Sequence, residues 1–312
     1  MKIGIIGCGN IGTKRAQTIL GFPEDRILGL VETNRKLWPS LEQTFSVTPS
    51  EDYRTVTCSE EIEAVVISTP AASHIPLIEE CLKNGKDVLC EKPLGMKLEE
   101  VQRVVQVAEQ KKRVLKCGFN LRHDTALIKA HSLYQEGIIG RPYFFKATYA
   151  NGAVLTNTNH VGSLMDMGSH LLDLVHWFIG KPEGFQGSLQ KKEYPLDDNG
   201  FLTFQSNGLI GQIHFGFLRW KNCFHLEISG DKGAIEIVNL PKWGRQDLHL
   251  YRRVFPSGVP EMLTEFYTED LSWVAEWEAF RSLRQTGDLG DNRISLEIMK
   301  DIEVIRKTVP IK

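Results

Sequence analysis

The chain begins Lys2-Ile3-Gly4-Ile5-Ile6 and runs straight into Gly7-Cys8-Gly9-Asn10-Ile11-Gly12. An apolar run, a glycine turn and a helix starting near Asn10 form a unit with few uses. The first glycine permits a tight turn, the second lets backbone approach a pyrophosphate, and the third lets the helix pack closely on the strand. Glycine clusters also make ordinary turns, so context decides. Glu32 ends a second apolar run, Ile27-Leu28-Gly29-Leu30-Val31, and lies 20 residues beyond Gly12. An acid there can accept hydrogen bonds from an adenosine ribose. Gly7, Gly9, Asn10, Ile11, Gly12 and Glu32 are therefore expected to bind a dinucleotide. NAD is favoured over NADP, because the Glu32 carboxylate repels a 2′-phosphate; Arg35 is close enough in sequence to moderate this.

Residues 1–118 alternate short apolar runs with amphipathic segments. Strands are expected at 2–6, 27–31, 64–68, 87–90 and 114–117, and helices at 10–20, 35–45, 74–84 and 98–111. Continuous apolar strands between helices imply a parallel sheet covered on both faces. Beyond Pro142 the pattern changes to strand candidates at 143–149, 185–189, 201–205, 209–217, 224–228, 234–238 and 248–252. Ser206-Asn207-Gly208 and Gly230-Asp231-Lys232-Gly233 supply hairpin turns. Helices are expected at 124–136, 164–179, 270–285 and 293–307. The fold class is α/β: a doubly wound parallel sheet over residues 1–119, then an α+β domain over 120–312 with a large, mostly antiparallel open sheet, the last helices returning toward the first domain. In the stretch 209–216 either parity, Leu209, Gly211, Ile213, Phe215 or Ile210, Gln212, His214, Gly216, could form a semi-apolar outer face. Such a face predicts a homodimer or homotetramer.

Composition narrows the function. With 37 basic and 39 acidic residues, the net charge of −2 argues against nucleic acid or an anionic membrane as partner. No stretch approaches the roughly 20 apolar residues of a membrane span, and no signal peptide precedes the first strand. The six cysteines, Cys8, Cys58, Cys81, Cys90, Cys117 and Cys223, form no CxxC pair. Buried free thiols in a cytoplasmic protein are expected rather than disulfides, and no spacing suits a metal. Cys8 reads either as an oxidation-sensitive thiol in the glycine loop or as an inert small residue.

Two constellations can carry chemistry. Glu91-Lys92-Pro93 follows the strand 87–90, at the sheet edge that faces a ligand crevice. A partly buried lysine there can exchange protons, although a surface Glu-Lys pair before a helix-starting proline fits as well; Lys92-Pro93 is expected to be cis, as in tight turns. In 163–173, Asp166, His170, Asp173 and Trp177 fall on one helical stripe. A histidine between two acids suits an acid–base relay, whereas Ser163 and Asp166 also have capping-box spacing. Asn120, Arg122 and His123, the polar stretch Asn157, Asn159 and His160, and Arg219, Trp220 and Lys221 could contact substrate or be solvated loops; Arg219 and Lys221 would suit an anionic sugar such as a uronate or nucleotide sugar.

Taken in order, these motifs resemble the glucose–fructose oxidoreductase/inositol dehydrogenase (Gfo/Idh/MocA) family. The likeness covers nearly the whole chain. It rests on Gly7-x-Gly9-x-x-Gly12, Thr69-Pro70 with His74, Glu91-Lys92-Pro93, Asp166-x-Gly168-x-His170-x-x-Asp173 and Ile228-Ser229-Gly230-Asp231-Lys232-Gly233. One departure is Val161-Gly162-Ser163, where the family often has a glycine pair. The resemblance implies a Rossmann domain and an open-sheet α/β domain used for oligomerisation. It implies cofactor contacts from Thr69, Pro70, His74, Glu91 and Lys92, with Glu91 by the nicotinamide ribose. Lys92, Asp166 and His170 would be catalytic, facing a sugar or cyclitol substrate, with Asn120, Arg122, Asn157, His160, Asp173, Arg219 and Lys221 as candidate substrate contacts. The implied activity is NAD-dependent hydride transfer at a secondary alcohol or ketone. An epimerase or glycosidase that retains its NAD is the alternative within the family, and a non-catalytic dinucleotide-binding sensor or scaffold is the alternative outside it.

Overall fold

A computed structural model describes residues 1–152 and 161–312. The chain divides into two compact units, Met1–Phe119 with Trp273–Met299, and Asn120–Ser272 with Lys300–Lys312. In the first, the order is β1 (Lys2–Ile6), α1 (Asn10–Leu20), β2 (Arg26–Val31), α2 (Trp38–Phe45), α3 (Arg54–Thr57), β3 (Ala64–Ile67), α4 (His74–Lys83), β4 (Asp87–Cys90), α5 (Leu98–Gln110) and β5 (Leu115–Cys117). The strands form one parallel sheet in the order β2-β1-β3-β4-β5. Every residue of β3 and β4 is buried, as expected of strands covered on both faces. The order reverses direction between β1 and β3, and this opens a crevice at the carboxyl ends of those strands. Pro39 lies in the first turn of α2, where a missing N–H costs nothing.

The second unit contains α6 (Thr125–Gln135), β6 (Pro142–Ala150), α7 (Ser169–Ile179), β7 (Glu183–Gln190), β8 (Asn199–Ser206), β9 (Leu209–Gly216), β10 (Cys223–Gly230), β11 (Gly233–Val238), β12 (Gln246–Arg252) and β13 (Glu261–Tyr267). Its sheet runs β13-β12-β11-β10-β6-β9-β8-β7, antiparallel except for β6 beside β9. Asn207 and Gly208 both have positive φ and close the β8–β9 hairpin, the conformation that an Asn-Gly turn favours. The parity of β9 is resolved: Leu209, Gly211, Ile213 and Phe215 point into the core, and Ile210, Gln212 and His214 point outward. Sequence reading missed β13. It is almost wholly exposed at the sheet edge, so it carries none of the burial pattern by which a strand is recognised.

Two helices close the chain, α8 (Ser272–Thr286) and α9 (Ile294–Thr308). Trp277 and Phe280 of α8 are buried with Ile3, Ile5, Ile19 and Leu30 in the core of the first unit. The Trp277 indole N–H donates to Asp25 Oδ2 at 2.8 Å, satisfying a polar group that burial would otherwise make costly. Asn292, just before α9, accepts the Leu115 N–H at 2.8 Å and donates to Arg113 O at 3.0 Å; its amide thereby serves the backbone of the edge strand β5. Among the described residues no helix is long and apolar enough to cross a membrane.

One residue of the outer sheet face predicts a pH response. The His214 ring stacks on Phe201 with centroids 4.0 Å apart and planes 2° from parallel. Burial, followed by the positive charge of Arg219, holds its pKa down at about 4. A folded-state pKa below the unfolded value of about 6.5 gives stability that is present above that value and lost as pH falls through the folded pKa. The melting temperature should therefore fall more steeply between pH 6.5 and 4 for the wild type than for His214→Asn. Parallel falls in thermal melts across this range would show that His214 is not responsible.

Candidate active site

The glycine loop is built as its sequence demands. Gly7 has φ +87°, and a Cβ there would lie 2.8 Å from the Ser68 carbonyl at the end of β3. A Cβ on Gly12 would come within 1.8 Å of Gly7 O, so only glycine lets α1 start this close to the strand. Nothing lies within 4 Å of where a Gly9 side chain would begin. The first turn of α1 has no acid and no capping side chain, which leaves the positive end of the helix dipole available to an anion. A cavity of about 590 Å³ opens here, lined by Gly7, Gly9, Glu32, Glu51, Ser68 and Pro70 among others. A bare backbone cradle, an uncapped helix N-terminus and an acid at the far wall fit a dinucleotide.

Glu32 is fixed in place. Its two oxygens accept the N–H groups of Cys8 at 2.8 Å and Asn34 at 2.7 Å. Arg35 is occupied by Glu51, with Nε and Nη2 donating at 2.7 and 3.0 Å. That pairing lowers the pKa of Glu51 and raises that of Arg35. Cys8 is buried, and burial with the nearby Glu32 charge raises its thiol pKa to about 12. It stays a neutral thiol, and the inert reading of Cys8 is the one the structure favours.

The Glu91-Lys92-Pro93 turn continues β4 at the same sheet edge. Glu91 N–H donates to Ile67 O at 2.8 Å. Its Oε1 accepts from Nε and Nη2 of Arg15 at 2.8 and 2.6 Å. Arg15 also donates to Glu276 of α8 at 2.5 Å. Lys92 is half-buried, and the Lys92–Pro93 bond is cis. His74 is 1% exposed. Its Nδ1 lies 2.8 Å from Pro93 O and its Nε2 2.8 Å from Thr69 O, so one imidazole joins the Thr69-Pro70 turn to the Lys92-Pro93 turn.

In the second unit the segment before α7 is a π-helical turn, Leu164–Gly168, a geometry enriched at functional sites. The sequence allowed Asp166 as a cap; the structure gives that task to Asp197. Asp197 Oδ2 accepts the Leu164 N–H at 2.6 Å and the Ser163 hydroxyl at 2.9 Å. Asp166 is half-buried on the π turn. His170 is 4% exposed, and its ring meets that of Tyr149 edge-on at 5.7 Å. Asp173 is fully buried, with both oxygens accepting from Arg122, Nε at 3.0 Å and Nη2 closer still. Arg122 also lies over the Trp177 ring at 5.7 Å.

Several sequence candidates thus have structural partners. Arg122 and Asp173 hold each other, and Asn120 donates to Ser272 Oγ at 3.1 Å. Arg219 and Lys221 are exposed between β9 and β10. Asn157 and His160 lie outside the described residues. Sequence reasoning missed Arg15, Glu276, Asp197 and Tyr149. Arg15 left a trace, a charge on the α1 face that carries Gly12, Ala16 and Ile19; Asp197 and Glu276 act from 33 and 261 residues away and left none.

The architecture and loop define a class, a two-unit protein with a dinucleotide-binding fold. Residues 1–119 match the family described as "Oxidoreductase family, NAD-binding Rossmann fold", and residues 127–236 match "GFO/IDH/MocA C-terminal domain". The chain belongs to the Gfo/Idh/MocA oxidoreductase family. An inositol 2-dehydrogenase of Rubrobacter xylanophilus is 27% identical over 181 residues, which is 57% of this chain and 52% of that one; the match thus spans about half the length of that relative. An inositol 2-dehydrogenase of Salmonella typhimurium is 24% identical over 76% of this chain and 74% of its own. Among solved structures, a levoglucosan dehydrogenase with NADH superposes with a TM-score of 0.89 at 19% identity, covering 98% of this chain and 96% of that one. A 3-ketoreductase from Actinomadura kijaniata with NADP gives 0.85 at 20% identity, covering 100% and 98%. At such identities these structures speak for the fold alone.

Proposed function

We propose that this protein is an NAD-dependent oxidoreductase acting on a secondary alcohol or ketone of a sugar, sugar derivative or cyclitol. The observation that carries the reading is the half-buried Lys92 on the sheet edge that also bears the glycine cradle and Glu32. The activities of the relatives, inositol 2-dehydrogenases among them, agree with it. Bound NAD would accept or donate the hydride. His170 takes the hydroxyl proton as general base, and Asp166 orients it. Lys92 donates a hydrogen bond to the same oxygen and stabilises its developing negative charge. Glu91, held by Arg15, contacts the nicotinamide ribose, Thr69 and Pro70 line the cofactor cavity, and His74 supports the Thr69 carbonyl behind them.

Three tests follow from this reading. Lys92→Ala should leave NAD affinity nearly intact and lower turnover by about 10²–10⁴-fold, and His170→Asn should abolish most turnover together with the acidic limb of the pH–rate profile. The assay is net NADH formation with a panel of sugars and cyclitols. Near-normal rates in either variant would remove that residue from the mechanism, and absence of net NADH with every substrate would favour an NAD-retaining enzyme or a sensor.

For the cofactor, Glu32 meets the adenosine ribose and Glu51 keeps Arg35 from a 2′-phosphate, so NAD should bind more tightly than NADP. Fluorescence titration of both cofactors checks this, with Glu32→Ala expected to narrow the difference. Tighter binding of NADP to the wild type would overturn it.

For assembly, Phe144, Phe201, Ile210 and Phe266 are 36%, 47%, 61% and 58% exposed on the open sheet face. Apolar groups in such numbers fit a self-complementary interface in a homodimer or homotetramer. Light scattering at micromolar concentration should give a multiple of the 35.3 kDa chain mass; a monomer would count against it.

A further inference from the structure

Next to His170 the second unit carries side chains that the roles above leave unused. Tyr149 of β6 touches the imidazole edge-on, and Trp243 follows with its ring 5.8 Å from that of Tyr149. Lys242 donates from Nζ to Tyr149 OH at 2.9 Å. The same ammonium lies 5.3 Å from the Tyr149 centroid and 4.8 Å from that of Trp243. Lys242 is exposed, and among the described residues it has no carboxylate in ion-pair range. Its neighbour Arg245 is already neutralised by Asp247 at 2.8 Å and stacked over Phe266.

The loop that carries the pair is built rather than loose. Between β11 and β12 it forms a 3₁₀ turn, Pro241–Trp243. Trp243 N–H donates to Leu240 O at 2.9 Å and Gly244 N–H to Pro241 O at 3.2 Å. Asn239 enters with φ +72°. It donates from its side chain to Arg245 O at 2.9 Å and from its backbone to Phe224 O at 2.8 Å. A cation with a spare charge, an indole face and a candidate base thus share one preorganised corner.

We propose that Lys242 and Trp243 form a substrate subsite for a sugar monocarboxylate, an aldonate or uronate. The inference rests on the sugar-oxidoreductase reading and deepens it by naming the substrate class. The Trp243 indole covers the apolar C–H face of the sugar. The Lys242 ammonium keeps one N–H on Tyr149 and turns the other two to the carboxylate. One ammonium with no carboxylate in ion-pair range among the described residues matches one carboxylate. A phosphate dianion calls for a second, and Arg245 is committed to Asp247.

The test is equilibrium binding, which does not depend on turnover. D-gluconate, D-glucuronate, D-glucose, myo-inositol and D-glucose 6-phosphate are titrated calorimetrically into the protein saturated with NADH. The acids should bind about 10- to 100-fold more tightly than the neutral compounds, the range of one charge-assisted hydrogen bond. Lys242→Met should erase that preference while leaving neutral binding in place, Lys242→Arg should keep most of it, and Trp243→Leu should weaken acids and neutral compounds alike; melting temperatures establish that each variant is folded. Equal affinity for acids and neutral compounds, an unchanged preference in Lys242→Met, tighter binding of the phosphate, or no binding by any probe would overturn the subsite. The two readings fail separately. Net NADH from neutral sugars without an acid preference would keep the oxidoreductase and remove the subsite. Acid-selective binding without net NADH from any sugar would do the reverse.

Discussion

Arg15 is the interaction on which the cofactor unit depends. It is 3% exposed and carries a full charge among apolar neighbours. Two carboxylates compensate it, Glu91 after β4 and Glu276 on α8. Both draw its pKa upward against the desolvation that would lower it. Burial pushes the Glu276 carboxyl upward and the Arg15 charge pulls it back. Three segments distant in sequence are thereby tied to one guanidinium: the helix of the glycine loop, the Glu91-Lys92-Pro93 turn and a helix near the chain's end. Loss of Arg15 would strand two carboxylates, of which Glu276 is wholly buried, a situation that costs about 3–5 kcal/mol. It would also release Glu91 from the orientation proposed for the ribose.

The same economy recurs around it. His74 has a main-chain carbonyl 2.8 Å from each ring nitrogen, so one side chain supports both the Thr69-Pro70 turn, which lines the cavity, and the Lys92-Pro93 turn. Asp197 receives the orphan N–H of Leu164 and the hydroxyl of Ser163 and thereby anchors the π-helical turn. The capping task thus falls to Asp197 rather than to Asp166, which sits half-buried on the same turn. In both units the residues proposed for chemistry are held by others whose own work is positional.

Much of the architecture was legible beforehand for a simple reason. Burial on both faces of a parallel sheet requires uninterrupted apolar runs, and Ala64–Ile67 and Asp87–Cys90 announce themselves in that way. The Asn207-Gly208 hairpin was equally plain, because both positions need positive φ. The edge strand β13 was not, since an exposed strand imposes no pattern on its residues. Residue pairs far apart in sequence were invisible for a different reason. Arg122 and Asp173 each looked like a substrate contact, and only the packing of α7 against the segment before α6 shows that they bind each other.

Local stereochemistry is what the sequence by itself determined. The φ of Gly7, the close approach at Gly12, the strand–helix alternation and the acid after β2 follow from residue type and spacing, and they were enough to indicate a dinucleotide fold. Tertiary structure alone decided which charged groups face one another. It paired Arg35 with Glu51, Arg15 with Glu91 and Glu276, and Arg122 with Asp173, and among the described residues it left the Lys242 ammonium without a carboxylate. The reason is physical: backbone preferences act over a few residues, whereas a buried charge is governed by whatever charge the fold brings within about 4 Å of it.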